Sequence, residues 1–196
     1  MSTLRPRSSS SRSLSPGWPP ELVRLALSRF ALQRRGDHGP THWARVRKHG
    51  VHLARIYGVS PVVPSLFALF HDCCRQEEYE DRYHGQRAAE FIEGLVREGH
   101  LTGLSSKDVD LLQQACAGHS EGLTEGPRVV QICWDADRLD LGRVGYRPDA
   151  RRLCTDAAKD LDYRLQAYAW SRGDALWREA GDQEEERERF ALAKVV

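Results

Sequence analysis

SPVVPSLFALFHDCC, residues 60–74, is strongly apolar and short, which places it at the centre of a packed domain. Read as a helix, it carries its apolar face straight into a polar doublet. His71 lies one turn after Phe67, with Phe70 beside it and Cys74 three residues on. The segments on either side decide what kind of domain surrounds this core. PPELVRLALSRFALQRRG (19–36) has Pro near its first turn and stops at Gly36. THWARVRKHGVHLARIYG (41–58) has a Thr cap and stops at Gly58. EDRYHGQRAAEFIEGLVREG (80–99) ends at Gly99, and SSKDVDLLQQACAG (105–118) begins at a Ser cap. PRVVQICWDADRLDLGRVG (127–145) and TDAAKDLDYRLQAYAWSRGDALWREA (155–180) follow.

No segment sustains the period-2 alternation of a strand. PVV and RVVQIC each merge into a helical pattern. The expectation is a single all-α domain over 19–181. A Ser-, Arg- and Pro-rich tail over 1–18 has no acidic residue and is expected to be disordered. A mixed-charge tail over 182–196 is expected to be solvated. A chain of 196 residues buries roughly 70% of its unfolded surface, enough for a core without staples. Twenty-nine basic and 28 acidic residues leave a net charge of +1, so no strong field recruits nucleic acid or an anionic membrane. No apolar run approaches the ~20 residues of a membrane span, and no secretory h-region is visible. The five cysteines fit neither a zinc knuckle nor a disulfide framework. They read as reduced core residues of a cytoplasmic protein.

Helical periodicity also picks out polar residues that point inward. In 127–145, Val130, Cys133, Trp134 and Leu141 form one stripe with Asp137 in its middle, while Asp135 and Arg138 fall to either side. A carboxylate on an apolar stripe costs several kcal/mol unless it is paired or binds metal, so Asp137 is the residue that needs a partner. His84 lines up with Ala88, Phe91 and Leu95. His119 continues the stripe of Leu112 and Cys116, and His42 that of Val46 and Leu53. His49 shares nearly the face of His42, and periodicity admits either. His38, His52 and His100 read as loop or surface residues. Five segments that each turn one titratable group inward make a ligand set suited to Mn, Fe, Co, Ni or Zn, or to Mg with waters.

His42 in THWARV, the His71-Asp72 doublet and Asp137 in WDADRLDLGRVG stand in the order His … His-Asp … Asp. That order resembles the metal-binding signature of the HD superfamily of metal-dependent phosphohydrolases. The chain is most similar to its small stand-alone bacterial-type members, with His-Gly pairs at 38–39 and 84–85. The resemblance spans about residues 36–145. It implies an HD-type helical domain with the metal in a cleft between helices. It selects His42, His71, Asp72 and Asp137 as ligands of one divalent ion. His84 and His119 sit where some HD families place two further histidines, which complete a second metal site or contact substrate phosphate. One ion is the expectation, because Glu77, Glu78 and Asp81 lie in a less constrained segment; a second ion, bridged by Asp72, is the alternative.

The activity implied is hydrolysis of a small phosphoester, such as a nucleotide, by metal-activated water. The free oxygen of Asp72 would accept the water proton, and His84 and His119 would stabilise charge or protonate the leaving group. Arg75, Arg45 and Arg82 are candidate phosphate contacts, because a guanidinium grips phosphate bidentately. No Gly-rich phosphate loop is present: GHSEGLTEG (118–126) lacks the Lys context. Asp135 and Asp140 are expected to orient Arg138 or a ligating His. Trp43 and Trp134 are expected in the core. The alternatives are a di-iron oxygenase on the same scaffold, which needs six ligands, and a non-catalytic metal-binding sensor. Pocket walls are expected from 75–83, 119–127 and 142–155.

Overall fold

A computed structural model describes residues 17–173. Residues 1–16 of the tail expected over 1–18, the tail expected over 182–196, and the end of the last expected helix lie outside the described residues. Among those described, the chain is all-α. The helices are α1 (Pro20–Arg29), α2 (Pro40–Ile56), α3 (Val62–Phe70), α4 (His84–Arg97), α5 (Ser106–Gly118), α6 (Arg128–Leu139), α7 (Asp156–Lys159) and α8 (Leu161–Ser171). Two 3₁₀ turns, Leu141–Val144 and Ala150–Arg152, link α6 to α7. None of the described helices is long and apolar enough to cross a membrane.

The apolar segment is central, as its composition requires. Every residue of α3 from Val63 to Phe70 is buried. Helices α1, α2, α5 and α6 all pack against it, and α4 lies along α5. Trp43 and Trp134 are both buried in this core. A smaller core joins Leu53 of α2 and Ile132 and Leu139 of α6 to Leu153, Ala158 and Ala167. Helix α6 is therefore enclosed on two sides. The five cysteines are free thiols, four of them buried.

Tertiary packing moves several boundaries. The first helix ends at Arg29 rather than Gly36, because Phe30 turns extended and sets its ring edge-on to Trp43 at 5.2 Å. Helix α2 begins at Pro40 behind Gly39, so Thr41 lies inside it and caps nothing. Thr155 does cap α7, but the helix breaks at the extended Asp160, whose side chain accepts from the Tyr163 amide and starts α8. Trp18 belongs to the domain rather than the tail. Its indole N–H donates to the Ser65 carbonyl at 2.7 Å, and Arg47 lies over its ring.

Candidate metal centre and its cleft

Helix α3 delivers His71 and Asp72 to the point where α2, α4, α5 and α6 converge. His42 Nε2 and His71 Nε2 approach to 3.0 Å. Asp72 Oδ2 lies 3.6 Å from the first and 3.5 Å from the second. Asp137 Oδ1 lies 3.3 and 3.8 Å from the same two nitrogens. The far sides of the rings fix the tautomers. His42 Nδ1 is 2.7 Å from Asp140 Oδ2, and a carboxylate only accepts, so Nδ1 carries a proton and Nε2 is the atom turned to the group. His71 Nδ1 faces the carbonyls of Phe67 and Ala68 at 3.2 and 3.3 Å, with the same consequence. Burial lowers the His71 pKa to about 3, so the ring is neutral. Asp72 and Asp137 are held well below the ordinary carboxylate range. Burial opposes this, but the surrounding imidazoles outweigh it, His71 foremost for Asp72 and His42 for Asp137. The neutral His71 ring, the Nε2 of His42 and two ionised carboxylates thus converge on one point.

A second group shares Asp72. His84 Nε2 and His119 Nε2 are 2.8 Å apart and lie 3.3 and 3.6 Å from Asp72 Oδ1. His84 Nδ1 is hydrogen-bonded to the Asp81 carbonyl, and His119 Nδ1 to the Cys116 carbonyl at 2.7 Å. Burial and the neighbouring His119 lower the His84 pKa. Burial opposes a charge on His119, but the Asp72 and Asp137 carboxylates outweigh it and raise that pKa. Arg75 completes the group, with Nη1 at 3.1 Å from His84 Nε2 and 3.6 Å from Asp72 Oδ1. The carbonyls of Glu77 and Tyr79 hold its other nitrogens. Gly85 makes this meeting of α4 and α5 possible: a Cβ there would sit 2.3 Å from the Cys116 carbonyl oxygen.

A cation fits the first group. Asp137 Oδ1, which faces this group, and Asp72 Oδ1, which faces the second, are buried yet accept no hydrogen bond among the described residues. Ligand atoms of His42, His71 and Asp72 all lie within 4.8 Å of one another, as do those of Asp72, His84 and His119. Imidazole nitrogen and carboxylate oxygen suit a divalent first-row metal. Asp140 supplies the outer support, since Arg45 donates to both of its oxygens at 2.5 and 3.0 Å.

Other residues stand elsewhere than the sequence places them. Arg45 sits behind Asp140 and does not line the cleft. Arg82 is exposed over the Tyr83 ring, also outside it. Asp135 is not off the apolar face. It is fully buried and accepts from the Cys154 and Thr155 amides and the Thr155 hydroxyl, orienting neither Arg138 nor a histidine. His49, on the face it shares with His42, turns into the smaller core against Tyr163 and Trp170. His38 is no surface residue: it pairs with Glu78 at 2.7 Å and lines the cleft.

The cleft over Asp72 and Asp137 has a volume of about 590 Å³. Its floor includes His84 and His119, and one wall carries Arg138, Arg143, Arg147 and Arg152. None of these four was a candidate in the sequence. Their one visible signal was the density of arginine between 138 and 152.

The sequence matches no protein-family model and no curated protein. The structure is similar to that of a predicted HD superfamily hydrolase from an uncultured Thermotogales bacterium. The TM-score is 0.59 over 89% of this chain and 92% of the other, at 20% sequence identity. The fold is that of this predicted HD superfamily hydrolase. In this HD fold the doublet of α3 and the histidines and aspartate of α2 and α6 meet at the floor of the cleft.

Proposed function

We propose that the chain is a divalent-metal-dependent phosphohydrolase, with His42, His71, Asp72 and Asp137 holding the ion. One observation carries this reading: four potential ligand atoms from three helices, His42 Nε2, His71 Nε2, Asp72 Oδ2 and Asp137 Oδ1, converge in the interior. Two ionised carboxylates buried at one point favour a cation beside them. When bound, a divalent ion supplies a lowered pKa for water and a charge for a phosphoryl oxygen. Asp72 Oδ1, turned away from the His42–His71 pair, is placed to take a proton from water. The raised pKa of His119 favours the protonated ring, which would pass a proton to a leaving oxygen. Arg75 points a guanidinium at the same floor, where it can bind a phosphoryl oxygen. The reaction class rests on the likeness in fold to a predicted hydrolase, together with this donor set.

A second reading has its own observation. The two oxygens of Asp72 are divided between the two groups, so two ions bridged by Asp72 would use all six side chains. Elemental analysis of protein purified without chelator separates the two. One equivalent of Mn, Fe, Co, Ni or Zn, lost in His71→Ala and retained in His119→Ala, supports the single-ion hydrolase. Two equivalents, with one lost in His119→Ala, support the bridged pair. No metal, and none on titration, overturns both.

A further inference from the structure

The wall facing the metal group is richer in positive charge than any single phosphate needs. Arg138, Arg143, Arg147 and Arg152 all line it, and they come from α6, the two 3₁₀ turns that follow and the segment between those turns. Of these, only Arg143 lies near a carboxylate, 3.9 Å from Asp137 Oδ1. Its other nitrogens donate to the Asp37 and Asp140 carbonyls, which fix it in place. Arg138, Arg147 and Arg152 have no carboxylate within ion-pair distance among the described residues. The one other carboxylate on this wall, Asp149, is taken by Arg151 at 2.7 Å.

Arg138 is the strongest sign that the wall is built for a ligand. It is only 8% exposed, Nη1 donates to the Arg152 carbonyl at 2.7 Å, and Nη2 has no hydrogen-bond partner among the described residues. A buried guanidinium with an unmet N–H costs stability, and a cluster of like charges adds to that cost. An anion between them offsets both. Arg147, stacked over Tyr168 at 5.3 Å, and Arg152 at the rim would close on its outer oxygens.

We infer that Arg138, Arg143, Arg147 and Arg152 form a second anion subsite, so that the ligand of this cleft carries two phosphoryl groups, one at the metal group and one at the arginine wall. The inference rests on the phosphohydrolase reading for the first phosphoryl group. It names a diphosphate or longer phosphate chain, rather than a monoester, as the class recognised.

The test compares two probes by calorimetry on metal-loaded protein, with metal content checked after each titration. The probes are orthophosphate and imidodiphosphate, whose bridging nitrogen resists hydrolysis. The wild type is expected to prefer imidodiphosphate by roughly tenfold or more, the worth of one added charge-assisted hydrogen bond. R147Q/R152Q alters two exposed side chains and is expected to lose that preference while keeping its affinity for orthophosphate. R24Q/R97Q, which removes the same charge from exposed positions elsewhere, is expected to keep it. Orthophosphate binding with no advantage for imidodiphosphate would overturn the subsite alone. A preference that survives in R147Q/R152Q would do the same. Binding of neither anion to metal-loaded wild type would overturn the phosphohydrolase reading and the subsite with it.

Discussion

His42 reaches the metal group with its Nδ1 proton fixed by Asp140, and Asp140 is fixed in turn by Arg45. This chain of contacts fixes a proton on Nδ1 of His42 and turns Nε2 toward the group. Asp140→Asn keeps the side-chain shape but removes the charge that holds the Nδ1 proton and anchors Arg45. The fold should survive, and metal affinity should fall by about 10- to 100-fold, as such outer partners usually cost. Competition with a chelator of known affinity checks it, with His42→Ala as the reference for outright loss of a ligand. Asp140 and Asp135 show how far single residues could be read. Both were expected to support other groups, and Asp140 does so for a histidine on the ligand face. Asp135 looked peripheral because one apolar stripe was assumed for α6. The helix is packed on both sides, so a residue off one stripe is still interior. Periodicity finds one face of a helix and cannot tell that the opposite face is buried too.

At the scale of elements, the junction of α4 and α5 depends on Gly85. The Cβ of Gly85→Ala would stand 2.3 Å from the Cys116 carbonyl oxygen, and backbone does not yield as a flexible side chain does. The start of α4 would have to move out and carry His84 away from His119. The usual helical gain of Ala over Gly, about 1 kcal/mol, is outweighed by overpacking of about 1–3 kcal/mol. Gly94 on the same helix gives the opposite sign, since its added Cβ would meet only the far end of Arg97 at 3.9 Å. Thermal unfolding should therefore show a lower midpoint for Gly85→Ala and an equal or higher one for Gly94→Ala. Element identity was legible because helical periodicity and glycine stops are local signals. The ends of α1, α2 and the α7–α8 pair were not. Phe30 leaves its helix to meet Trp43, thirteen residues on, and Asp160 breaks a run whose local propensity is helical.

Across the whole molecule, the ligand face was legible because α2, α3 and α6 each turn one apolar stripe to the same core. The cleft wall was not, because it is assembled from short turns whose place depends on Asp135 gripping residues 154–155 across the fold. The same enclosure that builds the core leaves a neutral histidine turned into the smaller core, away from the converging ligand atoms. His49 is fully buried, and burial lowers its pKa from 6.5 to about 3. The unfolded chain therefore takes up a proton near pH 6.5 that the folded chain refuses. Stability is complete above that pH and falls as the pH drops toward about 3. Between pH 7 and pH 5 this one residue should remove about 2 kcal/mol. His49→Asn retains a polar group near Tyr163 but does not titrate, so its stability should fall less over the same interval. Urea unfolding of metal-free protein at the two pH values measures the difference and keeps loss of the ion out of the comparison. Equal falls for wild type and variant would mean that His49 is not the proton-refusing group, and that the acid sensitivity lies with His71 and the converging ligands instead.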